Sequence, residues 1–276
     1  MRVHHLNCGT CCPAGGRLFD GTSAGVLGHL VCHCLLIETE AGLVLVDTGF
    51  GTRDVAQPAA RISPLFIGLN NLQLRLEETA LAQVGALGFD PMDVRHIIVT
   101  HLDFDHAGGL EDFPNATIHL LAREFDAADR QRGGALGRLR YRPQQWDEVA
   151  DWQRYGAGDG ERWFGFDAVR DLAGLPPEIL LVPLAGHTWG HSGVAVREAD
   201  GGWLLHAGDA YFYRGEIGGE ASVCPPGLRS YQALMEVDRR ARLANQVRLR
   251  ALQHDHGNEV RMFCAHDPVE FALLAA

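Results

Sequence analysis

Between positions 101 and 106 the chain reads His-Leu-Asp-Phe-Asp-His, directly after the apolar run Ile97, Ile98, Val99. His101, Asp103, Asp105 and His106 are all of types that bind a divalent metal, and imidazole with carboxylate is the donor mixture that suits zinc. Three more apolar runs end in such a residue. "EILLVPLAGHTWGH" delivers His187, "GWLLHAGDAYFY" delivers Asp209, and "VRMFCAHDP" delivers His266. A lone histidine at a strand end is usually a hydrogen-bonded structural residue. Four strand ends carrying ligand types are different, because loops at strand ends converge on one edge of an α/β sheet.

The elements that must position these residues can be read from patterning. "HLVCHCLLIET" and "GLVLVDTG", separated by the turn-forming "EAG", predict a β-hairpin. "ETALAQVGALGF" carries apolar residues at helical spacing and predicts a helix, and "DVRHIIVTH" a short buried strand. "ATIHLLA" and "REFDAADRQ" repeat strand and helix, and the alternation gives an α/β fold. "SYQALMEVDRRARLANQVRLRALQ" reads as one long amphipathic helix with a solvated basic face. From 133 to 177 the pattern is irregular and rich in aromatic residues, and within a single domain spanning 1–276 we read it as a cap or insertion near a site first, and as an ordinary satellite core second.

In their fixed order, "LVLVDTG", "THLDFDHAGG", "GHTWGH", "HAGDA" and "FCAHDP" resemble the metallo-β-lactamase superfamily of metal-dependent hydrolases, from about Cys34 to His266. The resemblance implies an αββα sandwich with two divalent metal ions, zinc first, at one edge of the paired sheets. It implies that His101, the residue at 103 and His187 hold one ion, that Asp105, His106 and His266 hold the other, and that Asp209 bridges them. A shared hydroxide would be the nucleophile, and Asp105 would orient it and pass a proton to the leaving group. The length and the "GHTWGHSG" and "AHDP" segments look most like the lactonases of quorum signals, so the implied activity is cleavage of an ester or lactone of a small molecule. Those lactonases place a tyrosine three residues after the bridging Asp. Here that position is Phe212, flanked by Tyr211 and Tyr213 as candidate phenols.

Asp103 departs from the family, whose usual residue there is His. With two divalent ions, one hydroxide and Asp103, Asp105 and Asp209, positive and negative charges cancel, which favours harder ions, so iron or manganese stand beside zinc. Three readings of Asp103 remain open: a direct ligand, a residue behind the ligands of a depleted first site, or a hydrogen-bonding loop residue. A di-iron oxidoreductase, and a thioesterase of the glyoxalase type, are the alternative functions. Asp47 is expected to accept a proton from a ligand histidine, and His191 to support the site without joining it.

Composition bounds partners. A net charge of −11 argues against nucleic acid, which needs clustered Lys and Arg. The N-terminal stretch has no long apolar run and no later segment could span a membrane, so a cytoplasmic protein acting on a small molecule is expected, as a homodimer if it assembles. Seven cysteines, an odd number, argue against a disulfide framework, and the C-x-x-C in "CGTCC" reads as reduced thiols in a turn.

Overall fold

The computed structural model describes residues 1–132, 134–156, 160–168, 172–219 and 222–275. Among the described residues twelve strands form the frame. The first sheet runs in the order β1 (Arg2–Cys11), β2 (Leu30–Thr39), β3 (Gly42–Val46), β4 (Val94–Ile98), β5 (Thr117–Leu121), β6 (Trp152–Tyr155). Its first three strands pair antiparallel, and β3 to β6 are parallel. In the second sheet β12 (Val260–Phe263) lies parallel to β11 (Trp203–His206), followed by antiparallel β10 (Ser192–Arg197) and β9 (Ile179–Pro183). A separate hairpin joins β7 (Glu161–Trp163) to β8 (Phe166–Ala168).

Strand alternation sorts the core into layers. Leu35 and Ile37 of β2, Val44 and Val46 of β3 and Ile98 of β4 meet Ile179, Leu181, Val194, Val196 and Leu204 between the two sheets. The intervening residues point outward: Cys34, Leu36, Leu45 and Ile97 pack under Ala80, Val84 and Ala128 of flanking helices. On the far side Leu180, Val182 and Leu205 pack under Leu249 and Leu252 of the helix Arg239–His256. Both faces of each sheet are covered, which is why these strands read as unbroken apolar runs. The result is the four-layer αββα sandwich.

The expectations for the basic helix and for the turn at "CGTCC" are corrected. The long basic helix is two helices, Pro226–Met235 and Arg239–His256. Asp238 caps the second by accepting from the Ala241 N–H, while the Val237 and Asp238 N–H groups donate to the Gly186 carbonyl. Its basic face is not wholly solvated either, since Arg242 is buried against Glu236 and Gln232. The described part of the aromatic 133–177 segment packs into the frame. β6 extends the first sheet, Trp146 is in the first sheet's outer core, and Trp163 and Phe166 join the second. Cys8 and Cys11 lie buried in β1 rather than in a turn, and all seven cysteines are unpaired.

Candidate metal centre

The C-terminal ends of β4, β9, β11 and β12 point to one edge, and the loops that follow bring His101, Asp103, His106, His187, Asp209 and His266 together, all buried. Asp209 is the centre. Its Oδ2 lies 3.2 Å from His187 Nε2 and 3.7 Å from His101 Nε2, while its Oδ1 lies 3.1 Å from His266 Nε2 and 3.4 Å from His106 Nε2. Asp103 Oδ2 is 2.9 Å from His187 Nε2 and 3.3 Å from His101 Nε2. Asp105 faces the same space at 3.8 Å from His266 Nε2, and no described residue hydrogen-bonds to it. Two donor groups emerge on the first-site and bridging side, His101/Asp103/His187 and His101/His106/Asp209.

Three of the four imidazoles, those of His101, His106 and His266, are fixed by the nitrogen that faces away. His106 Nδ1–H donates to Asp47 Oδ2 at 2.8 Å, and His266 Nδ1–H donates to the Val31 carbonyl at 2.8 Å. Asp47 also accepts the N–H and hydroxyl of Thr100, whose oxygen sits 2.9 Å from His101 Nδ1. These bonds leave the Nε2 of His101, His106 and His266 turned inward as lone-pair donors. His191 does not face the space. Its Nε2 accepts the Asp209 N–H at 2.8 Å and its Nδ1–H donates to the Leu184 carbonyl, so it sets the backbone that carries Asp209.

A divalent ion fits this arrangement. His101 Nε2, His106 Nε2 and Asp209 Oδ1 are buried with no hydrogen-bond partner, a costly condition that an ion relieves. The electrostatics agree. Burial would lower the pKa of His266, but Asp209 outweighs it and holds the value at about 9. His106 is likewise pushed well up against its burial by Asp209 and Asp47, whereas burial and His106 depress His101 to about 4. Burial would raise Asp209, yet His266 and His106 draw it well below the usual carboxylate range.

Asp103 is not a free carboxylate. Arg140, from the helix Ala135–Arg140, clasps it with Nε 2.5 Å from Oδ1 and Nη2 2.7 Å from Oδ2, and Nη1 donates to the Met235 carbonyl. Burial alone would raise Asp103, but the guanidinium holds it well below its usual range. Oδ2 still faces His187 and His101, so one edge of the carboxylate remains directed at the site. Sequence reasoning missed Arg140; the unbalanced acid in "HLDFDH" was itself the signal that a buried cation should answer it.

The candidate phenols are not brought to the cluster. Tyr211 is buried in the outer core of the second sheet with its hydroxyl on Glu270, 3.2 Å away. Tyr213 packs its ring against Gly21 and under the Arg214 guanidinium. Phe212 takes the inward place, its ring centroid 5.5 Å from His187 and 5.0 Å from His266. Beyond it stands Tyr231, a second residue missed, whose ring lies 6.3 Å from Phe212. Glu124, also missed, joins two ligand loops by accepting the Leu102 N–H through Oε1 and the Gly190 N–H through Oε2.

Known proteins share this arrangement of chain. A protein named probable metallo-hydrolase in Mycobacterium tuberculosis is 40% identical over 277 residues, covering 99% of this chain and 82% of the relative. An N-acyl homoserine lactonase of a Bacillus species is 28% identical over 238 residues, covering 82% of this chain and 84% of its own. Among solved structures, an N-acyl homoserine lactone hydrolase with N-hexanoyl-L-homoserine at its catalytic metal centre superposes with a TM-score of 0.70 at 22% identity, over 98% of this chain and 95% of that one. The model of the metallo-beta-lactamase superfamily matches residues 27–254, and with that match this chain belongs to the superfamily and has its fold, as a probable metal-dependent hydrolase.

Proposed function

We propose that this protein hydrolyses an ester or lactone of a small molecule at a site that holds two divalent ions, zinc first. The observation that carries the reading is the set of inward-turned, partnerless donors on His101, His106 and Asp209, with Asp209 between two groups of ligands. His101, Asp103 and His187 would hold one ion, Asp105, His106 and His266 the other, and Asp209 both. Ions there would supply Lewis acidity toward a carbonyl oxygen and acidify water toward neutral pH.

The rest is the work of this chain's own side chains. Asp105, 15% exposed and without a hydrogen-bond donor, has its pKa raised by burial, which suits a carboxyl that orients water and then carries a proton to the leaving oxygen. Phe212, Phe104 and Phe50 form an apolar wall beside the ligands that excludes water and fits an alkyl or acyl group. Tyr231, packed on Phe212, is the candidate phenol in place of Tyr211 and Tyr213, with the proposed role of donating to a substrate carbonyl. The lactonase names of several relatives support an acyl lactone among the substrates. The iron-oxidoreductase alternative loses its motive, because the acid at 103 is balanced by Arg140.

Metal-loaded protein should open γ-butyrolactones or acyl homoserine lactones, or cleave p-nitrophenyl esters, and Asp209→Ala should abolish turnover of whichever substrate is accepted. Absence of turnover across that whole panel by protein with both ions bound would sink the proposal. The substrate is a small molecule and the compartment the cytoplasm on this reading, with a homodimer as the expected assembly; light scattering of the eluted protein checks the last.

A further inference from the structure

β2 runs directly beneath the loop that carries His266. Val31 accepts from His266 Nδ1, and the His33 N–H donates to the Ala265 carbonyl, so the backbone on both sides of Cys32 is tied to that loop. Cys32 itself is 2% exposed, and its sulfur comes together with a carboxylate oxygen of Asp105 and a ring nitrogen of His266, all within 4.8 Å of one another. A third donor group thus exists beside the two centred on His101. Partnerless buried atoms adjoin it: among the described residues His106 Nε2 and Asp209 Oδ1, 3.4 Å apart, have no hydrogen-bond partner, and both residues are at most 2% exposed. Asp209 Oδ1 is also 3.1 Å from His266 Nε2, one of the three donors.

We propose that Cys32 is a ligand of the second ion, so that this site is built from sulfur as well as nitrogen and oxygen and selects a thiophilic divalent ion such as zinc over manganese or magnesium. The inference rests on the reading that the site holds a second ion. Nothing in the sequence motifs points to Cys32, which precedes the first of them and reads as a buried strand residue.

The chemistry is simple to balance. In the ion-free chain the thiol has Cys11 beside it and lies in the apolar cluster of Phe50 and Phe104. On coordination the S–H bond is replaced by a sulfur–metal bond and the proton leaves to water; no electron changes hands. The added negative charge is tolerable because Arg140 already offsets Asp103 on the other side of Asp209. Soft thiolate then outweighs the preference for hard ions that a carboxylate-rich site would otherwise show.

Cobalt(II) is the probe. The chelator-stripped protein, titrated with cobalt, should develop a near-ultraviolet thiolate-to-cobalt charge-transfer absorption as the second equivalent binds. Cys32→Ser should lose that absorption and bind the second equivalent of zinc at least about tenfold more weakly, while Cys11→Ser keeps the absorption. Absence of the absorption in the unmodified protein overturns the proposal, with no variant needed to fold. So does its retention in Cys32→Ser. Metal-dependent ester hydrolysis in protein that shows no such absorption would sink the thiolate ligand and leave the hydrolase standing.

Discussion

Asp103 and Arg140 change the charge account of the site. A carboxylate in place of a neutral imidazole subtracts one charge, and the guanidinium bound to both of its oxygens returns it. The pair therefore gives the ions the same net charge that His would, and Asp103 by itself supplies no reason to prefer iron. Breaking the pair from one side should be expensive, because a buried carboxylate is left without its partner. Arg140→Met should destabilise the ion-free protein by about 3–5 kcal/mol in urea unfolding. Asp103→His should also cost stability, by stranding the guanidinium. Combined, the two substitutions remove both charges and should recover most of the loss; losses that simply add would mean the two residues are not coupled. At the same scale, Tyr231→Phe should lower kcat for the accepted substrate by roughly tenfold or more if its phenol donates to the carbonyl, with folding unchanged. An unaltered kcat would remove Tyr231 from the reaction.

At the scale of elements, the ligand loops are held by side chains that bind nothing themselves. Glu124 sits at the start of the helix Ala122–Gln131 and accepts from Leu102 and Gly190, one residue past a ligand and three past another. The approach is close: a Cβ on Gly190 would stand 2.1 Å from the Glu124 backbone nitrogen, so only glycine lets that loop dock. Glu124→Ala leaves two buried N–H groups unpaired at about 1–3 kcal/mol each, and should weaken zinc binding by roughly tenfold although Glu124 touches no ion. Unfolding and zinc titration of the one variant check both; full affinity in a destabilised protein would show that the loops keep their geometry without it. The strands beneath these loops were legible because burial on both faces leaves unbroken apolar runs, each ending in a ligand type. The loops were not. Past His206 there is no alternation to follow, so nothing in the pattern tells which of Tyr211, Phe212 and Tyr213 turns inward; Glu216, accepting from the N–H groups of Phe212 and Tyr213, decides it. Arg140 was hidden for a different reason, lying 37 residues from Asp103 in an irregular stretch with no period.

For the whole molecule, the helix Pro268–Leu274 packs against β1 and β2, and its Glu270 is the buried carboxyl that gives this packing a pH dependence. Glu270 accepts the Cys264 N–H at 2.8 Å and the Tyr211 hydroxyl at 3.2 Å, joining the helix to β12 and to the loop after β11. Burial lifts its pKa from 4.5 to about 7 despite those donors. A carboxyl with a folded pKa above its unfolded one binds more protons when folded, so its contribution favours the folded state at low pH and is lost as pH rises between those two values. This slope runs opposite to that of Asp103 and Asp209, whose lowered values favour folding as pH rises through the acid range. Glu270→Gln keeps an oxygen to accept from Cys264 and cannot ionise. Relative to the unmodified protein it should therefore gain stability steadily from about pH 5 to about pH 8, with no further gain above that. Urea unfolding of the two ion-free proteins across that range isolates Glu270, since the ligand residues titrate alike in both. A stability difference that stays flat with pH would mean that Glu270 ionises in the folded chain as it does in the unfolded one.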